Sequence, residues 1–420
     1  MGEWSGLFSN HSNELSSFQG PLLYVEEQMC RTSSLSLLVF ITVFFFGVAP
    51  LEGTMSGMFK PNGEIVSSIR LPEGFLVGGM TFTPDSRYLV VYGAVKKEVE
   101  GKLTLHESFI SFYNTTSRKW ECTITLGERL GIFEVTFTPD GTYMAFTGWE
   151  AGTVAVYRRV SDSPLAWKPV CSFETERPRR TLGIAIWPDG SRVIYGKRSA
   201  RREDPDVFEV IDLNTKKRKM LYPISVEEHK RDERSHTIEN VRISRDGKKL
   251  LLLTTYSVQL WDADKLSLIK RSKLPDVPPY RSVHIHADFS TDGQYIVMGA
   301  LLAERKLPDA GQDAVVVLDA KTLEILRIFR VPDRHLRPAM TSDNELVLVT
   351  LDTVADHGVT YVWHRESGKL LYKFEPIPAK DCCQQVLSPD DKWLAVYSIR
   401  DLTNIFLYDF VRIRREFVKE

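Results

Sequence analysis

A short turn motif recurs through most of the chain, and its spacing constrains the fold more than any other feature. Residues 137–141 read FTPDG, and six near-copies of this turn occur elsewhere in the chain. The aspartates of consecutive turns are 55, 49, 57, 46, 51 and 47 residues apart. A fixed period in this range is typical of stacked or circular repeat proteins. The marker aspartates of the seven turns are Asp85, Asp140, Asp189, Asp246, Asp292, Asp343 and Asp390.

Alternating apolar segments flank each turn and predict β-strands. In the second unit IFEVTF (132–137) precedes the turn, and YMAFTG (143–148) and TVAVYR (153–158) follow it. Alternation of apolar and polar residues with many β-branched and aromatic side chains indicates strands, while Pro, Asp and Gly favour the reversal between them. A fourth segment follows in most units, such as KLSLIKRSKL (265–274). The sequence therefore predicts an all-β, seven-bladed β-propeller of four-stranded antiparallel blades.

The pattern resembles the WD-repeat and YVTN-type β-propellers over about 59–420. The matching positions are the F-S/T-P-D-G turn and the V-x-V-Y/W-D end of the third strand, with Trp261 and Asp262 as the one literal WD pair. The chain is similar to divergent propellers of NACHT–WD repeat proteins and of the quinoprotein-dehydrogenase-like superfamily. No Gly-His dipeptide precedes a blade, so the resemblance does not imply the His-centred network of standard WD repeats.

Two segments compete for the last strand of the ring. Residues 62–71 (NGEIVSSIRL) predict a lone strand ahead of the first turn, which could complete the last blade. Alternatively, 410–420 could form that strand, and 62–71 would then pair elsewhere or the chain would be a fragment of a longer protein. Pairing the first and last segments would remove the open edges of the array.

The N-terminal region differs in composition from the repeats, and we divide the chain into residues 1–54 and a propeller at 55–420. Residues 32–51 carry no charge and contain a strongly apolar core at 35–48. This hydrophobic stretch is consistent with a transmembrane anchor, with a cleaved signal peptide that begins at Met29, or with a doubtful gene start ahead of a soluble protein. The location is accordingly membrane-anchored or secretory if 32–51 is genuine, and cytoplasmic otherwise.

Charge and cysteine content exclude some classes of function. The net charge is −1, so no overall field attracts nucleic acid or an anionic membrane. Five scattered cysteines without a CxxC pair argue against a disulfide framework and a structural zinc site. Basic clusters at 197–202, 216–219 and 229–234 are interleaved with acidic residues, which favours solvated loops and no nucleic-acid partner.

The sequence HIHAD contains weak candidates for metal ligands. His284, His286 and Asp288 alternate along the predicted first strand of the fifth blade, so they share one face. Imidazole and carboxylate groups suit zinc or iron, but neighbours on one strand face lie about 7 Å apart. A polar strand face that lines the channel is the simpler interpretation.

No catalytic motif or cofactor-binding loop stands out, and we expect neither catalytic residues nor a cofactor. The sequence favours a monomeric, non-catalytic interaction scaffold that binds other proteins through rim loops. The alternative is an enzyme of the lactonase or quinoprotein type that uses the central channel. The candidate contact segments are 94–108, 197–206, 225–236, 272–283, 301–313 and 351–358.

Overall fold

The strands form seven separate four-stranded antiparallel sheets. The structure is a computed structural model, and almost all of its ordered elements are strands. It describes residues 65–71, 74–99, 102–128, 131–148, 152–161, 163, 166–174, 181–199, 204–225, 227–228, 238–254, 257–273, 286–300, 313–331, 337–350, 359–374, 383–398 and 404–417.

Each sheet is one blade, and the strands follow one another within it. Blades 1 to 3 consist of β2 (Phe75–Phe82), β3 (Tyr88–Val99), β4 (Lys102–Asn114) and β5 (Lys119–Glu128); of β6 (Ile132–Phe137), β7 (Tyr143–Gly148), β8 (Thr153–Arg159) and β9 (Trp167–Glu174); and of β10 (Thr181–Ile186), β11 (Arg192–Lys197), β12 (Val207–Asp212) and β13 (Arg218–Leu221). Blades 4 to 6 consist of β14 (Ile238–Ile243), β15 (Lys249–Thr254), β16 (Ser257–Asp262) and β17 (Ser267–Lys273); of β18 (Ala287–Phe289), β19 (Tyr295–Ala300), β20 (Asp313–Asp319) and β21 (Ile325–Val331); and of β22 (Ala339–Met340), β23 (Leu346–Thr350), β24 (Thr360–His364) and β25 (Leu370–Phe374). Blade 7 consists of β26 (Cys383–Leu387), β27 (Trp393–Ser398), β28 (Asn404–Asp409) and, outermost, β1 (Ile65–Arg70).

The core lies between the blades. Leu250 and Leu252 of β15 pack toward blade 3, and Leu251 and Leu253 of the same strand pack toward blade 5. Because neighbouring side chains of a strand point to opposite faces, a middle strand buried on both sides is apolar throughout. Among the described residues, one buried cluster fills each of the seven interfaces between adjacent blades, including the one between blades 7 and 1.

The recurring turn joins the first and second strands of every blade, as predicted. In blade 2, the Thr138 hydroxyl donates to Asp140 Oδ1 at 2.6 Å and accepts the N–H of Tyr143 at 3.0 Å. Asp140 Oδ1 also accepts the N–H of Thr142 at 2.9 Å. The residue after each aspartate has a positive φ of 57–72°, which favours glycine. These residues are Ser86, Gly141, Gly190, Gly247, Gly293, Asn344 and Asp391.

The three turns without glycine at this position make contacts between blades. The Asn344 amide donates to Asp292 Oδ2 at 2.8 Å, and the Asp391 carboxylate accepts the N–H of Ser342 at 2.8 Å. The N–H of Asp390 donates to Ser86 Oγ at 3.1 Å. The turns in which another residue replaces glycine therefore link blades 5, 6, 7 and 1 by hydrogen bonds on either side of the ring closure.

We expect Asp391→Gly to lower the free energy of unfolding by about 1–3 kcal/mol, because the part-buried hydrogen bonds with Ser342 are lost. Relief of the left-handed backbone offsets part of this loss. Asp391→Asn keeps an acceptor oxygen and a side chain that tolerates positive φ, so it serves as the control and should cost less than about 1 kcal/mol. Urea unfolding followed by tryptophan fluorescence measures both variants, and a glycine variant as stable as the wild type would contradict the contact.

The turn aspartates predict acid sensitivity. Partial burial raises the pKa of Asp140, but the hydrogen bonds from Thr138 and Thr142 outweigh it and lower the pKa. The same balance lowers the pKa of five further turn aspartates: Asp189, Asp246, Asp292, Asp343 and Asp390. A lowered folded-state pKa stabilises the fold above the unfolded-state pKa, and this stability is lost as pH falls through the folded value. Desolvation raises the pKa of Asp391, so that residue acts in the opposite sense.

We therefore expect the free energy of unfolding to fall steeply below about pH 4, where the unfolded chain takes up protons first at these aspartates. Urea unfolding at several pH values between 7 and 3 provides the measurement. Stability that stays constant or rises between pH 5 and pH 3 would contradict the prediction.

The N-terminal strand closes the ring, which decides between the two alternatives. Strand β1 pairs with β28 along Ser67–Arg70, with Ile69 opposite Ile405. Residues after β28 form the helix α1 (Phe410–Phe417), so a fourth strand at 410–420 is wrong. Asp409 Oδ1 accepts the N–H of Arg412 at 3.0 Å and caps the helix, and Phe410 and Ile413 are buried against blades 6 and 7.

One predicted loop is largely a strand pair. Within 94–108, β3 continues to Val99 and β4 begins at Lys102, so the two strands extend the blade 1 hairpin. The charged residues of this stretch obscured its alternation. The segment 32–51 and nearly all of 272–283, 301–313 and 351–358 lie outside the described residues. Among the residues that the structure describes, no helix is long and apolar enough to cross a bilayer.

Candidate functional site

The innermost strands surround a central cavity of about 370 Å³. Among the described residues, six of the seven blades supply lining residues through their first strand or the residues beside it: β2, β6, β14, β18, β22 and β26. In blade 3, Gly183 has a φ of 63°, and a Cβ there would lie 2.7 Å from the backbone N of Val241. Blade 3 therefore packs its backbone directly against β14.

An ion network crosses the channel from blade 2 to blade 5. Arg242 Nη1 lies 2.6 Å from Glu134 Oε1, and Arg242 Nε lies 3.8 Å from Asp288 Oδ2. Glu134 Oε2 also accepts the N–H of Ile184 at 3.2 Å. The side chains of Glu134 and Arg242 are only 14% and 22% exposed. Arg242 of blade 4 thus links Glu134 of blade 2 to Asp288 of blade 5. A backbone N–H of blade 3 donates a further hydrogen bond to the glutamate.

Burial and charge shift the pKa values of this network. Desolvation raises the pKa of Asp288, although its side chain keeps 62% of its surface open to the channel. Burial lowers the pKa of Arg242, but Glu134 and Asp288 raise it overall and keep the guanidinium charged. Desolvation and Glu134 raise the pKa of Tyr92 to about 12, so this phenol stays a neutral hydrogen-bonding group.

A second polar group lies at the other end of the same strands. Arg337 Nε donates to His286 Nε2 at 3.1 Å, and the carbonyl oxygen of Arg337 accepts from Gln385 Nε2 at 3.2 Å. The Thr350 hydroxyl donates a hydrogen bond to the side-chain amide oxygen of Gln385. His286 comes directly before β18 and Arg337 two residues before β22, so both lie at the channel mouth, where the chain enters these first strands.

The structure places two of the three metal candidates on the channel wall. His286 contacts Arg337, and Asp288 faces Arg242, while His284 lies outside the described residues. Within the part of the chain that is described, no three His, Cys, Asp or Glu side chains converge as a metal site. His284, His286 and Asp288 stay weak candidates for metal ligands, and a polar strand face that lines the channel stays the simpler interpretation.

The two ends of the channel differ in the connections around them. The turns between first and second strands all span five residues, from 83–87 in blade 1 to 388–392 in blade 7. The turns between third and fourth strands lie at the same end, because adjacent strands are antiparallel. The opposite end carries connections of varied length, including 222–237, 274–286 and 301–312. The mouth residues His286 and Arg337 lie at this variable end.

Sequence reasoning missed Glu134, Arg242 and Arg337. Glu134 and Arg242 are charged residues inside predicted first strands, IFEVTF and TIENVRI. Because an innermost strand borders the channel, such charges could have indicated a channel network. The adjacent Glu239 and Asn240 follow the same pattern, and both border the cavity.

Comparisons with solved structures support the fold. The chain is similar to the β-propeller domain of Cps50 (Swd1) from Myceliophteria thermophila, with 15% identity, a TM-score of 0.59 and coverage of 82% of this chain and 98% of that one. It is similar to hydrazine synthase from Kuenenia stuttgartiensis at 16% identity and a TM-score of 0.56, covering 84% and 98%. A chain of the mitotic checkpoint complex matches at 13% identity and a TM-score of 0.59, covering 89% and 99%.

Neither a family model nor a curated protein sequence matches this chain. At the identities found, likeness between structures establishes the fold alone. Seven four-stranded blades and the likeness to the Swd1 propeller agree with the resemblance carried by the turn and strand motifs. The protein folds as a seven-bladed β-propeller, as the likeness to the Swd1 β-propeller domain also indicates.

Proposed function

We propose that this propeller is a non-catalytic scaffold that binds other proteins through its variable end. The observation that carries the proposal is the difference between the two ends of the channel: the turns at one end span four to seven residues, and the connections at the other span two to sixteen. Loops on a rigid framework can change in length and sequence without disturbing the core, so binding surfaces commonly form there.

The channel mouth adds a charged centre to this surface. His286 and Arg337 directly follow the segments 274–285 and 332–336, which join consecutive blades at the variable end. A partner bound over this mouth would contact the Arg337 guanidinium. A fixed charge at the centre of an interface favours a partner of complementary charge, here an acidic one.

The solved neighbours are compatible with this role. One similar chain belongs to the mitotic checkpoint complex, which is a protein assembly by its own description. The similarity extends to the fold only, so it supports a scaffold without identifying a partner.

An alanine scan of 272–283 and 301–313 tests the proposal. Proteins cross-linked to the wild-type chain in cells are compared with those cross-linked to each variant by quantitative mass spectrometry. Alanine at the exposed turn residues Asn214, Lys265 and Lys321 provides the control, because these turns between third and fourth strands lie at the end opposite the variable end. We expect at least one partner to be lost from the scan variants and kept by the control. An unchanged set of partners in every scan variant would contradict the proposal.

An enzyme that uses the channel is the second candidate. It is favoured by the likeness to hydrazine synthase and by the charged groups around the 370 Å³ cavity. Metal analysis and an absorption spectrum of the purified protein distinguish the two functions. Stoichiometric metal or a quinone band would favour the enzyme over the scaffold.

A further inference from the structure

The outer strands of blades 4 and 5 both expose aliphatic side chains, and in β17 Leu268 and Ile269 are 48% and 54% exposed. In β21 the side chains of Ile325, Leu326 and Ile328 are 39%, 44% and 38% exposed. Among the described strands it pairs with β20 alone, so its other side is a sheet edge within this part of the chain. An exposed aliphatic edge is normally a hazard, because another strand can pair with it.

The edges of blades 1 and 2 are protected in other ways, although β9 also exposes Val170, at 39%. In β5, the exposed positions are polar, with Glu121, Thr123 and Thr125 alternating with inward-facing residues. In β9, Pro169 interrupts the strand and removes a backbone donor. Strand β21 has neither an acidic residue nor a proline in its sequence ILRIFRV.

The charge of this edge is positive. Arg327 and Arg330 are both exposed on β21, and Arg327 donates to the carbonyl oxygen of Glu366 in blade 6. Lys270 is exposed on the outer strand of the adjacent blade 4, which also contains no acid in SLIKRSK. Cations alone could protect an edge, but they do not account for the three exposed aliphatic side chains between them.

We propose that an extended, acidic segment of a partner protein adds to blade 5 as a fifth strand along β21. Its backbone pairs with the open N–H and C=O groups of the edge, its apolar side chains contact Ile325, Leu326 and Ile328, and its acids lie opposite Arg330. A strand suits this surface better than a lipid bilayer does, because lipid cannot satisfy the open backbone groups.

This surface lies on the perimeter and is separate from the variable end. The inference rests on the proposed function only in that the partner is a protein. Loss of binding at the edge leaves the partners of the variable end unchanged, and the reverse holds for the alanine scan, so the two failures are distinguishable.

Fluorescence anisotropy with the full chain tests the inference. The probe is a fluorescein-labelled peptide equal in length to β21, with Val and Glu two positions apart so that they face Ile328 and Arg330, which lie on one face of β21. The control peptide has Pro in place of Val. We expect the probe to bind and the proline peptide to bind at least ~10-fold more weakly, because it cannot form the ladder. We also expect Arg330→Glu to weaken probe binding by at least ~10-fold. The matched control is Lys168→Glu, at an exposed position beside Pro169 on β9, which should change it less than about 2-fold.

Several outcomes overturn the inference. These are the absence of probe binding up to about 1 mM, equal binding of the proline peptide, or equal weakening by Arg330→Glu and Lys168→Glu. Tighter binding of phosphatidylserine vesicles or of duplex DNA than of the probe would also overturn it, since the edge would then be an anionic-surface site.

Discussion

Replacing Arg242 by methionine is expected to lower the free energy of unfolding by about 3 kcal/mol, because it leaves Glu134 mostly buried without its cation. The loss exceeds that of an exposed ion pair, since the Glu134 and Arg242 side chains are 14% and 22% exposed. Asp288 contributes less, because it is largely open to the channel and lies farther away at 3.8 Å. Urea unfolding monitored by tryptophan fluorescence gives the difference.

Two further variants identify the cause. Arg245→Met removes an exposed cation from the neighbouring turn and should change stability by less than about 0.5 kcal/mol. Adding Glu134→Gln to Arg242→Met removes the unpaired buried charge while an amide oxygen can still accept the N–H of Ile184. The double variant should therefore recover part of the loss. An Arg242→Met protein as stable as the Arg245→Met protein would mean that channel water already compensates the charges.

The sequence predicts the propeller well because its signals are local and repeated. Each turn needs a residue that tolerates positive φ, a carboxylate and, in six of the seven turns, a hydroxyl two positions before the carboxylate. Trp187 replaces the hydroxyl residue in blade 3, and there the Ser191 hydroxyl bonds Asp189 instead. The strands on either side are apolar enough to be recognised individually. Consistent local preferences of this kind identify a repeat even when single copies differ.

The contacts between blades are harder to predict, because they join residues that are distant in the chain. Arg242 and Glu134 are more than one hundred positions apart, and only the closed ring brings them together. The same applies to Asn344. In the sequence it stands where other turns have glycine, and in the structure its side-chain amide donates a hydrogen bond to Asp292. Helix α1 was missed because its eight residues follow a strand and carry few helix signals apart from the Asp409 cap.

Replacing Ile69 by aspartate should have the largest effect of any single change at the ring closure. Ile69 is 3% exposed, and it packs with Leu407 and Tyr397 of blade 7 and with residues of blade 1. Aspartate removes the apolar contact and buries a charge, so we expect a loss of about 4 kcal/mol or more. Unfolding in urea measures the loss. Light scattering reports self-association, which is expected because release of β1 opens the edge of β28.

The control for this variant is Ser68→Asp, at an exposed position on the same strand. It introduces the same charge without burying it, so it should change stability by less than about 1 kcal/mol. The pair tests how the ring is held closed. If the Ile69 variant were as stable and as monomeric as the Ser68 variant, the packing between blades 7 and 1 would hold without β1. A loss confined to the Ile69 variant would mean that a strand from the N-terminal side fastens the last blade, while α1 covers the interface of blades 6 and 7.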